Sequence, residues 1–308
     1  MARILITTSS FDVTTSPALA EIAAAGHQIV LNPFGRKLTE DEAVSLLADG
    51  VVGMVAGVEP LTRRVIEAAR DLKVLARCGI GMDNVDMAAA AERGITVSNT
   101  PDGPSAAVAE LTVGLMLDLL RHISANDRAI RAGQWDRPMG RLLGARVVGL
   151  VGCGRIGRRV AALVAAFGAR VVGCDPLVDS AAGIEMMGFD EVLATADVVS
   201  LHLPYDRAVG CVMGAGQLGR MRKGAVLVNT ARGGLVDEAA LAAALESGAL
   251  GGAAIDAFEA EPYSGPLAGL PTMVLSSHVG SYARETRQAQ EAEAAANLLA
   301  GLRIAGLA

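Results

Sequence analysis

The chain has 308 residues, of which 52% are hydrophobic and 19% charged, and its formal net charge is −6 at pH 7. This composition excludes a disordered chain, and the length exceeds what one hydrophobic core usually serves, so two domains are predicted. The negative charge gives no electrostatic reason to bind nucleic acid, and no apolar stretch approaches the roughly 20 residues that span a bilayer.

The cysteines and the first residues of the chain indicate the compartment. The N-terminal residues lead straight into a strand pattern and do not have the architecture of a secretory signal. The cysteines have neither CxxC nor zinc-ligand spacing and are expected to be buried thiols in a reducing environment: Cys78, Cys153, Cys174 and Cys211. We therefore expect a cytoplasmic protein without a metal site.

The first hundred residues alternate between strand and helix patterns. Strands are predicted at residues 4–7, 28–31, 51–55, 74–76 and 95–98. Helices are predicted at 17–25, at 62–69 and, after a capping box formed by Thr39 and Glu42, up to Asp49. This alternation predicts a parallel α/β sheet with helices on both faces.

A turn rich in Pro and Gly at residues 101–104 marks a domain boundary. It precedes a long apolar helix predicted at 105–123. Strands beyond the centre of the chain are predicted at 198–201, 225–229, 252–256 and 273–275.

The helical pattern at 285–302 is expected to return to the first domain. The predicted domains are therefore residues 1–100 with 280–308, and residues 101–279, with a hinged cleft between them as the expected place for a small molecule.

A glycine motif in the middle of the chain is the strongest functional signal. Gly152, Gly154 and Gly157 follow a predicted strand at 146–151 and precede a predicted helix at 158–167. The first two glycines allow a tight turn and a close approach of the backbone to a pyrophosphate, and the third allows the helix to pack closely on the strand. The N-terminus of the helix then offers N–H groups to the phosphates.

Asp175 completes this motif. It ends a second apolar run, at 170–174, and stands eighteen positions after Gly157. A carboxylate at this point accepts hydrogen bonds from an adenosine ribose and repels a 2′-phosphate. The pattern therefore predicts a dinucleotide site that prefers NAD to NADP.

Polar side chains also follow the later strands, at the edge where open α/β sheets bind ligands. His202 and His278 are candidates for proton transfer, whereas His27 and His122 are expected outside the site. Each charge at these strand ends also fits a solvated loop residue. The charged candidates are Arg232, Asp256, Glu259 and Glu261.

Taken together, the motifs resemble those of the D-isomer-specific 2-hydroxyacid dehydrogenase family, in its phosphoglycerate-dehydrogenase-like branch. The segments that carry the resemblance occur in the family's order over nearly the whole chain: 77–86, 99–101, 108–110, 152–157, 229–237, 261–262 and 278–280. The resemblance implies two doubly wound α/β domains with parallel sheets, a flavodoxin-like substrate domain and a Rossmann NAD-binding domain. It also implies a homodimeric, NAD-dependent oxidoreductase that moves a hydride between nicotinamide and a D-2-hydroxy acid or 2-keto acid.

The resemblance implies the roles of the catalytic residues. His278 is the general base in oxidation and the general acid in reduction, and Glu261 pairs with it. Glu261 is preferred to Glu259 because the family places its acid directly before proline. Arg232 binds the substrate's carboxylate and carbonyl oxygen with its guanidinium fork.

The resemblance also implies the binding residues. The substrate-binding residues are Arg77, Cys78, Gly79, Ile80 and Gly81, together with Arg232. The NAD-binding residues are Gly152, Gly154, Arg155, Ile156, Gly157, Asp175, His202, Pro204, Thr230, Asp256, Gly280 and Ile80.

Two departures from the family pattern leave the substrate open. Ala56 stands where phosphoglycerate dehydrogenases place an arginine, so a phosphate would keep Arg77 and lose one charge-assisted contact worth about 1.5–3 kcal/mol. Arg137 or an arginine of a second subunit is an alternative source of that contact. Tyr282 either lines the pocket or crowds it. Both a 3-phosphoglycerate-like substrate and unphosphorylated 2-hydroxy acids are therefore candidates.

Two other functions fit the same kind of fold. One is an NAD(H)-sensing interaction protein without turnover, against which the joint presence of Arg232, Glu261 and His278 argues. The other is a different reaction on a two-domain NAD fold, such as formate oxidation, which nothing in the sequence excludes. Because the sequence ends thirty residues after His278, an appended regulatory domain is not expected.

Overall fold

The structure is a computed structural model that describes residues 2–8, 16–101, 103–206 and 208–307. It divides into two compact units. The first unit contains the residues up to Pro104 together with those from Tyr282 onward, and the second unit is Ser105–Ser281. Asp102, in the turn that was predicted as a domain boundary, lies outside the described residues.

The first unit is built on a parallel sheet. Its elements up to residue 99 are β1 (Arg3–Ile6), α1 (Pro17–Ala24), β2 (Gln28–Leu31), α2 (Glu40–Leu47), β3 (Val51–Ala56), α3 (Arg63–Ala68), β4 (Val74–Arg77), α4 (Met87–Glu92) and β5 (Thr96–Asn99). The strand order β2-β1-β3-β4-β5 is the flavodoxin-like order. Every strand predicted in this region is present within one residue of its predicted bounds.

Local capping explains where two of these helices begin. Before α2, the Thr39 hydroxyl accepts the N–H of Glu42, and the Glu42 carboxylate accepts the N–H of Thr39, as the sequence predicted. The helix α4 was not predicted. It begins after Asp86, whose carboxylate accepts the N–H of Ala89, and its sequence, MAAAAE, has no alternation of apolar and polar residues that would show a helical period.

The second unit is a doubly wound sheet. Its elements are α5 (Pro104–Arg121), α6 (Ile123–Arg131), β6 (Val147–Val151), α7 (Arg155–Ala166), β7 (Arg170–Cys174), β8 (Glu185–Met186), α8 (Phe189–Thr195), β9 (Val198–Leu201), α9 (Ala215–Leu218), β10 (Val226–Asn229), α10 (Glu238–Glu246), β11 (Gly252–Ile255) and β12 (Met273–Leu275). The order β12-β11-β10-β9-β6-β7-β8 contains the Rossmann order, extended by β12. The predicted fold class is confirmed.

The winding of the second unit positions its candidate site. The chain moves outward from β6 to β7 and β8, then returns to the other side of β6 to form β9. The direction of winding therefore reverses between β6 and β9, and ligands of such sheets bind outside the carboxyl ends of the strands at this reversal. Every residue of β9, β10 and β11 is buried, as expected for central parallel strands covered on both faces.

The C-terminal helix α11 (Arg284–Ile304) belongs to the first unit. It packs against α1 and against β3, β4 and β5. Ala294, Leu298 and Leu302 are fully buried in a cluster that includes Ile4 and Ala76 of the sheet. The tail thus covers one face of the first sheet.

Three further details differ from the predictions. The helix predicted at 105–123 ends at Arg121, because His122 has a left-handed backbone (φ 55°), after which α6 begins. The helix predicted from residue 158 begins at Arg155, directly after the glycine turn. His27 follows a helix stop, a position that predicts a surface turn residue, but it is buried, and its Nδ1 accepts the N–H of Ala2 at 3.4 Å. None of the helices in the described part of the chain combines the length and apolar character that a membrane crossing requires.

Candidate active site

The glycine turn between β6 and α7 requires glycine at its first position. Gly152 has φ +100°, a conformation that residues with a side chain rarely adopt. A Cβ there would also stand 2.5 Å from the carbonyl oxygen of His202, which follows β9. The turn therefore lies against the carboxyl end of β9, at the point where the winding of the sheet reverses.

The other two glycines of the motif differ in the space around their Cβ positions. A Cβ on Gly157 would overlap the carbonyl oxygen of Gly152, so this glycine allows the close packing of helix and turn that the sequence predicted. A Cβ on Gly154, the N-cap of α7, would meet nothing within 4 Å. Packing within the described residues therefore does not require glycine at position 154.

Asp175 lies beside this turn at the carboxyl end of β7. Its Oδ2 accepts the N–H of Cys153 and its Oδ1 accepts the N–H of Leu177, both at 2.8 Å. Each carboxylate oxygen can accept further hydrogen bonds, for example from ribose hydroxyls. Burial raises the pKa of the neighbouring thiols, to about 11 at Cys153 and about 12 at Cys174, so neither thiol adds negative charge at neutral pH.

These features fit a dinucleotide. The twelve-residue helix α7 carries no acid in its first turn, so its N-terminal N–H groups and dipole favour phosphate. Open space at Gly154 admits a pyrophosphate, and the oriented carboxylate of Asp175 supplies acceptors for the ribose. Arg155 and Ile156, both predicted cofactor contacts, occupy the first two positions of α7.

His202 is held as a neutral imidazole. Its Nε2 lies 2.9 Å from the Ser200 hydroxyl, and burial lowers the pKa of the ring to about 4. A ring with such a pKa carries no charge at neutral pH and is a poor base there. This environment does not favour proton transfer by His202, and its role in the cofactor site stays a prediction.

The buried carboxylate of Asp256 organises the loop after β12. Asp256 is 1% exposed. Its Oδ1 accepts the Ser276 hydroxyl at 2.6 Å and the Val279 N–H at 2.9 Å, and its Oδ2 accepts the Gly280 N–H at 2.9 Å. Its carbonyl oxygen accepts the N–H of His278 at 2.8 Å. Asp256 thus fixes the backbone on both sides of His278.

His278 meets Glu261 on this loop. Its Nδ1 lies 2.9 Å from Oε1 and 3.1 Å from Oε2 of Glu261, whose Oε1 also accepts the N–H of Phe258. An ionised carboxylate only accepts hydrogen bonds, so Nδ1 is the donor and the imidazole's Nε2 is left for another partner. The pair is partly open, with about two-fifths of each side chain exposed. Glu259, the rival acid, instead donates its backbone N–H to Glu238.

Arg232 lies on the turn after β10, next to the loop that carries Glu261. Its carbonyl oxygen accepts the side-chain amide of Asn229 at 2.8 Å, and its Nη1 donates to the carbonyl of Ala231. The following residue, Gly233, packs so tightly that a Cβ would overlap the backbone of Phe258. Since Phe258 donates to Glu261, the Arg232 turn and the His278–Glu261 pair belong to one contiguous group of loops in the second unit.

The remaining predicted cofactor residues of this unit lie at the same strand ends. Thr230 is buried, and its hydroxyl is 2.8 Å from that of Thr112 on α5. Pro204 is exposed two residues after His202, and Gly280 is buried against Asp256. Their contacts with a cofactor stay predictions.

The predicted substrate loop of the first unit follows β4. The guanidinium of Arg77 donates to the carbonyl of Cys78 and lies over Gly79, where a Cβ would overlap it. The carbonyl of Gly79 accepts the N–H of Thr100 at 3.1 Å, and that of Ile80 accepts the Asn99 amide at 2.8 Å. In a trans peptide, the N–H of a residue points in the direction opposite to the C=O of the residue before it. The N–H groups of Ile80 and Gly81 therefore face away from β5.

Sequence reasoning gave no role to two residues that support the site. Asn229 orients the Arg232 turn by donating to Arg232 and by accepting the N–H of Ala231 at 3.0 Å. Ser276 donates to Asp256. In both cases the only available signal was a polar residue at or just after the carboxyl end of a buried strand.

Comparison with known proteins identifies the family. Residues 113–280 match the family model described as D-isomer specific 2-hydroxyacid dehydrogenase, NAD binding domain. The chain is 39% identical over 260 residues to the D-3-phosphoglycerate dehydrogenase of Methanocaldococcus jannaschii, a match that covers 82% of this chain. It is 34% identical over 258 residues to the hydroxypyruvate reductase of Thermotoga maritima, covering 82% of this chain and 84% of that protein.

A solved structure agrees over the whole length. The crystal structure of the TT0316 protein from Thermus thermophilus matches with a TM-score of 0.89 and 36% identity, covering 98% of this chain and 97% of that one. The chain therefore belongs to the D-isomer specific 2-hydroxyacid dehydrogenase family, and its cofactor is NAD. It spans about half the length of the D-3-phosphoglycerate dehydrogenases that it matches, 50% in the case of the Methanocaldococcus jannaschii protein.

The open space at Gly154 generates a test of the cofactor site. We expect Gly154→Ala to lower the free energy of unfolding by no more than about 1 kcal/mol, since the methyl group meets no atom of the described residues and the main cost is that alanine is a poorer N-cap than glycine. The same methyl group should weaken NADH binding at least about tenfold by obstructing the pyrophosphate at the N-terminus of α7. Urea unfolding and NADH fluorescence titration measure the two effects.

Gly216→Ala is the matched control. Gly216 also has open space around its Cβ position and lies in α9 of the same unit. It should leave NADH binding unchanged. Wild-type affinity for NADH in the Gly154→Ala variant would contradict the assignment of this turn to the pyrophosphate.

Proposed function

We propose that the protein is an NAD-dependent oxidoreductase that interconverts a D-2-hydroxy acid and the corresponding 2-keto acid. The observation that carries the proposal is the contact between His278 Nδ1 and the carboxylate of Glu261, which leaves Nε2 for proton transfer. The pair lies in an NAD-binding domain. Oxidation of a hydroxy acid by hydride transfer to NAD also requires a protein group that removes the hydroxyl proton.

His278 acts on the substrate's hydroxyl group. NAD, when bound, supplies the hydride acceptor for oxidation and the hydride donor for reduction. In oxidation, Nε2 of His278 accepts the proton of the C2 hydroxyl as the hydride leaves C2 and the carbonyl bond forms. In reduction, the protonated ring returns that proton to the carbonyl oxygen. The charge that His278 gains in oxidation is stabilised by Glu261, which lies 2.9 Å away.

Each unit carries groups that are suited to the substrate's carboxylate. The guanidinium of Arg232 is suited to bidentate contact with a carboxylate, and its turn adjoins the loop of Glu261. The N–H groups of Ile80 and Gly81 are the other candidates. Neither has an acceptor among the described residues, and the hydrogen bonds of the Gly79 and Ile80 carbonyls support their orientation.

The proposed preference for NAD over NADP rests on Asp175. Its carboxylate is fixed by the N–H groups of Cys153 and Leu177 beside the glycine turn. A fixed negative charge there favours ribose hydroxyls and repels a 2′-phosphate.

We also propose a homodimer and a cytoplasmic location. Support for the dimer comes from an exposed apolar stretch after α5: Ile130, Trp135, Met139 and Leu142 are between 58% and 92% exposed, and a second copy of the chain would cover them. The cytoplasm is supported by four cysteines that are all free thiols; Cys78 and Cys153 are buried as expected, whereas Cys174 is partly buried and Cys211 is exposed.

The test of this function compares two histidines that share a backbone conformation. His278 and His122 both have φ 55°, and asparagine tolerates that conformation but transfers no proton. We expect His278→Asn to lower kcat for reduction of 2-keto acids by about 10²–10⁴-fold, with NADH binding retained. Glu261→Gln should cause a smaller loss. NADH oxidation is followed spectrophotometrically over a panel of 2-keto acids.

His122→Asn is the control and should retain wild-type turnover. Undiminished turnover in His278→Asn would remove the proposed mechanism. Failure of the wild-type protein to oxidise NADH with any member of the panel would remove the proposed function.

Cofactor preference gives a separate prediction. The wild-type protein should have a higher kcat/KM with NADH than with NADPH. Asp175→Asn removes the charge and keeps one acceptor oxygen, so it should lower this preference by about tenfold or more, since each close charge contact is worth roughly 1.5–3 kcal/mol. Equal kcat/KM for the two cofactors in the wild type would contradict the role of Asp175.

A further inference from the structure

The acid that contacts His278 lies on a loop of the second unit rather than on a helix or strand. Glu261 comes six residues after the end of β11, and its side chain is partly exposed, so burial alone does not fix it. Its Oε1 accepts the N–H of Phe258 at 3.1 Å and lies 2.9 Å from Nδ1 of His278. The direction of this carboxylate therefore depends on the course of the loop from residue 258 onward.

The helix α10 holds this loop on the N-terminal side of Glu261. Glu238 is the first residue of α10, and the helix is capped by Asp237, whose carboxylate accepts the N–H of Ala240 at 2.9 Å. The Oε1 of Glu238 accepts the N–H of Glu259 at 3.1 Å. A side chain on a capped helix is thus bound to the backbone two residues before Glu261.

Tyr263 holds the loop on the C-terminal side of Glu261. Its ring stacks on the ring of Phe258, with 4.2 Å between the centroids and 22° between the planes. Its hydroxyl accepts the N–H of Leu267 at 3.1 Å, and a Cβ on Gly265 would overlap that hydroxyl. The stack joins residues 258 and 263, the two ends of the short segment that contains Glu261.

Glu238 also interacts with Tyr263. Burial raises the pKa of the Tyr263 hydroxyl, the hydrogen bond from Leu267 opposes this effect, and the negative charge of Glu238 raises the pKa further. The hydroxyl therefore keeps its proton at neutral pH and is the donor in its interaction with the Glu238 carboxylate. Glu238 thus interacts with residues 259 and 263, on both sides of Glu261.

The helix dipole offers a simpler reason for an acid at position 238. A negative charge in the first turn of α10 is favourable wherever its side chain points. The dipole does not, however, require contacts with Glu259 and Tyr263. Because the dipole acts on charge and the loop contacts need an acceptor oxygen, a substitution that removes only the charge separates the two explanations.

We propose that Glu238 and Tyr263 are positioning residues for proton transfer. They hold the loop at 258–263 so that the carboxylate of Glu261 stays on Nδ1 of His278 and leaves Nε2 without a proton. This inference rests on the proposed function and adds two residues that act through Glu261 without touching the substrate.

Nitrogen NMR with ¹⁵N-labelled histidine tests the positioning without turnover. The ring nitrogen that carries the proton is set by the hydrogen bond that the other nitrogen or its proton makes. In Glu238→Ala, a loosely held Glu261 should let the neutral ring of His278 also populate the form with the proton on Nε2. Glu238→Gln keeps an acceptor for the Glu259 N–H, so its ring should stay protonated at Nδ1.

Kinetics give the matching readout. With the 2-keto acid that the wild type reduces fastest, we expect Glu238→Ala to lower kcat by about five- to tenfold, the effect of losing one hydrogen bond, with KM for NADH unchanged. Glu238→Gln should retain most of the wild-type kcat. Tyr263→Ala, which removes both the stack and the hydroxyl, should resemble Glu238→Ala, and Tyr263→Phe should lose less. Equal losses in Glu238→Ala and Glu238→Gln, or no loss in either, would overturn the proposal.

A double-mutant cycle shows whether Glu238 acts through Glu261. In a Glu261→Ala background, Glu238→Ala should lower kcat by less than about twofold, because the carboxylate that it positions is absent. The same fold loss in both backgrounds would contradict the proposal. Glu246→Ala is the control, since it removes an exposed acid about 12 Å farther along α10, and it should change neither kcat nor the His278 signals.

The two readouts separate this proposal from the proposed function. If the wild type oxidises NADH with no keto acid, the proposed function fails, while a change in the His278 ring confined to Glu238→Ala and Tyr263→Ala would still support the positioning role. If the wild type is active and its His278 signals are identical to those of Glu238→Ala, the positioning role is refuted and the proposed function stands.

Discussion

The buried carboxylate of Asp256 is the interaction on which the candidate catalytic loop depends. Removing a carboxylate from water is unfavourable unless hydrogen bonds replace its hydration. Here the Ser276 hydroxyl and the N–H groups of Val279 and Gly280 replace it, and the carbonyl oxygen of Asp256 holds the N–H of His278. The left-handed backbone conformation of His278 is one that few residues with a side chain adopt, and these bonds offset its energetic cost.

The order of strands brings the chemical groups of the second unit to one edge. The glycine turn follows β6, His202 follows β9, Arg232 follows β10, and Asp256 follows β11. Parallel strands all present their carboxyl ends on the same side, so residues far apart in sequence share that edge. The two histidines at this edge have different environments. His202 stays neutral with a pKa of about 4, whereas His278 is partly open and paired with a carboxylate.

Features set by local sequence were predictable, and features set by long-range packing were not. The glycine turn, Asp175 and the central strands were predictable because each follows a local pattern of residue spacing or hydrophobicity along the sequence. Glu261 was preferred to Glu259 only through the family resemblance, since spacing along the chain does not reveal which acid faces His278. The bonds that join Asp256 to Ser276, Val279 and Gly280 connect distant parts of the chain. No pattern along the sequence marks them.

The proposed mechanism requires that Glu261 holds the Nδ1 proton of His278, which leaves Nε2 as the proton-transfer atom. Nitrogen NMR of the protein with ¹⁵N-labelled histidine tests it directly, with the signals of His278 assigned by their loss in His278→Asn. We expect the neutral ring of His278 to have a protonated Nδ1 and an unprotonated Nε2. A neutral ring protonated at Nε2, with Nδ1 bare, would contradict it.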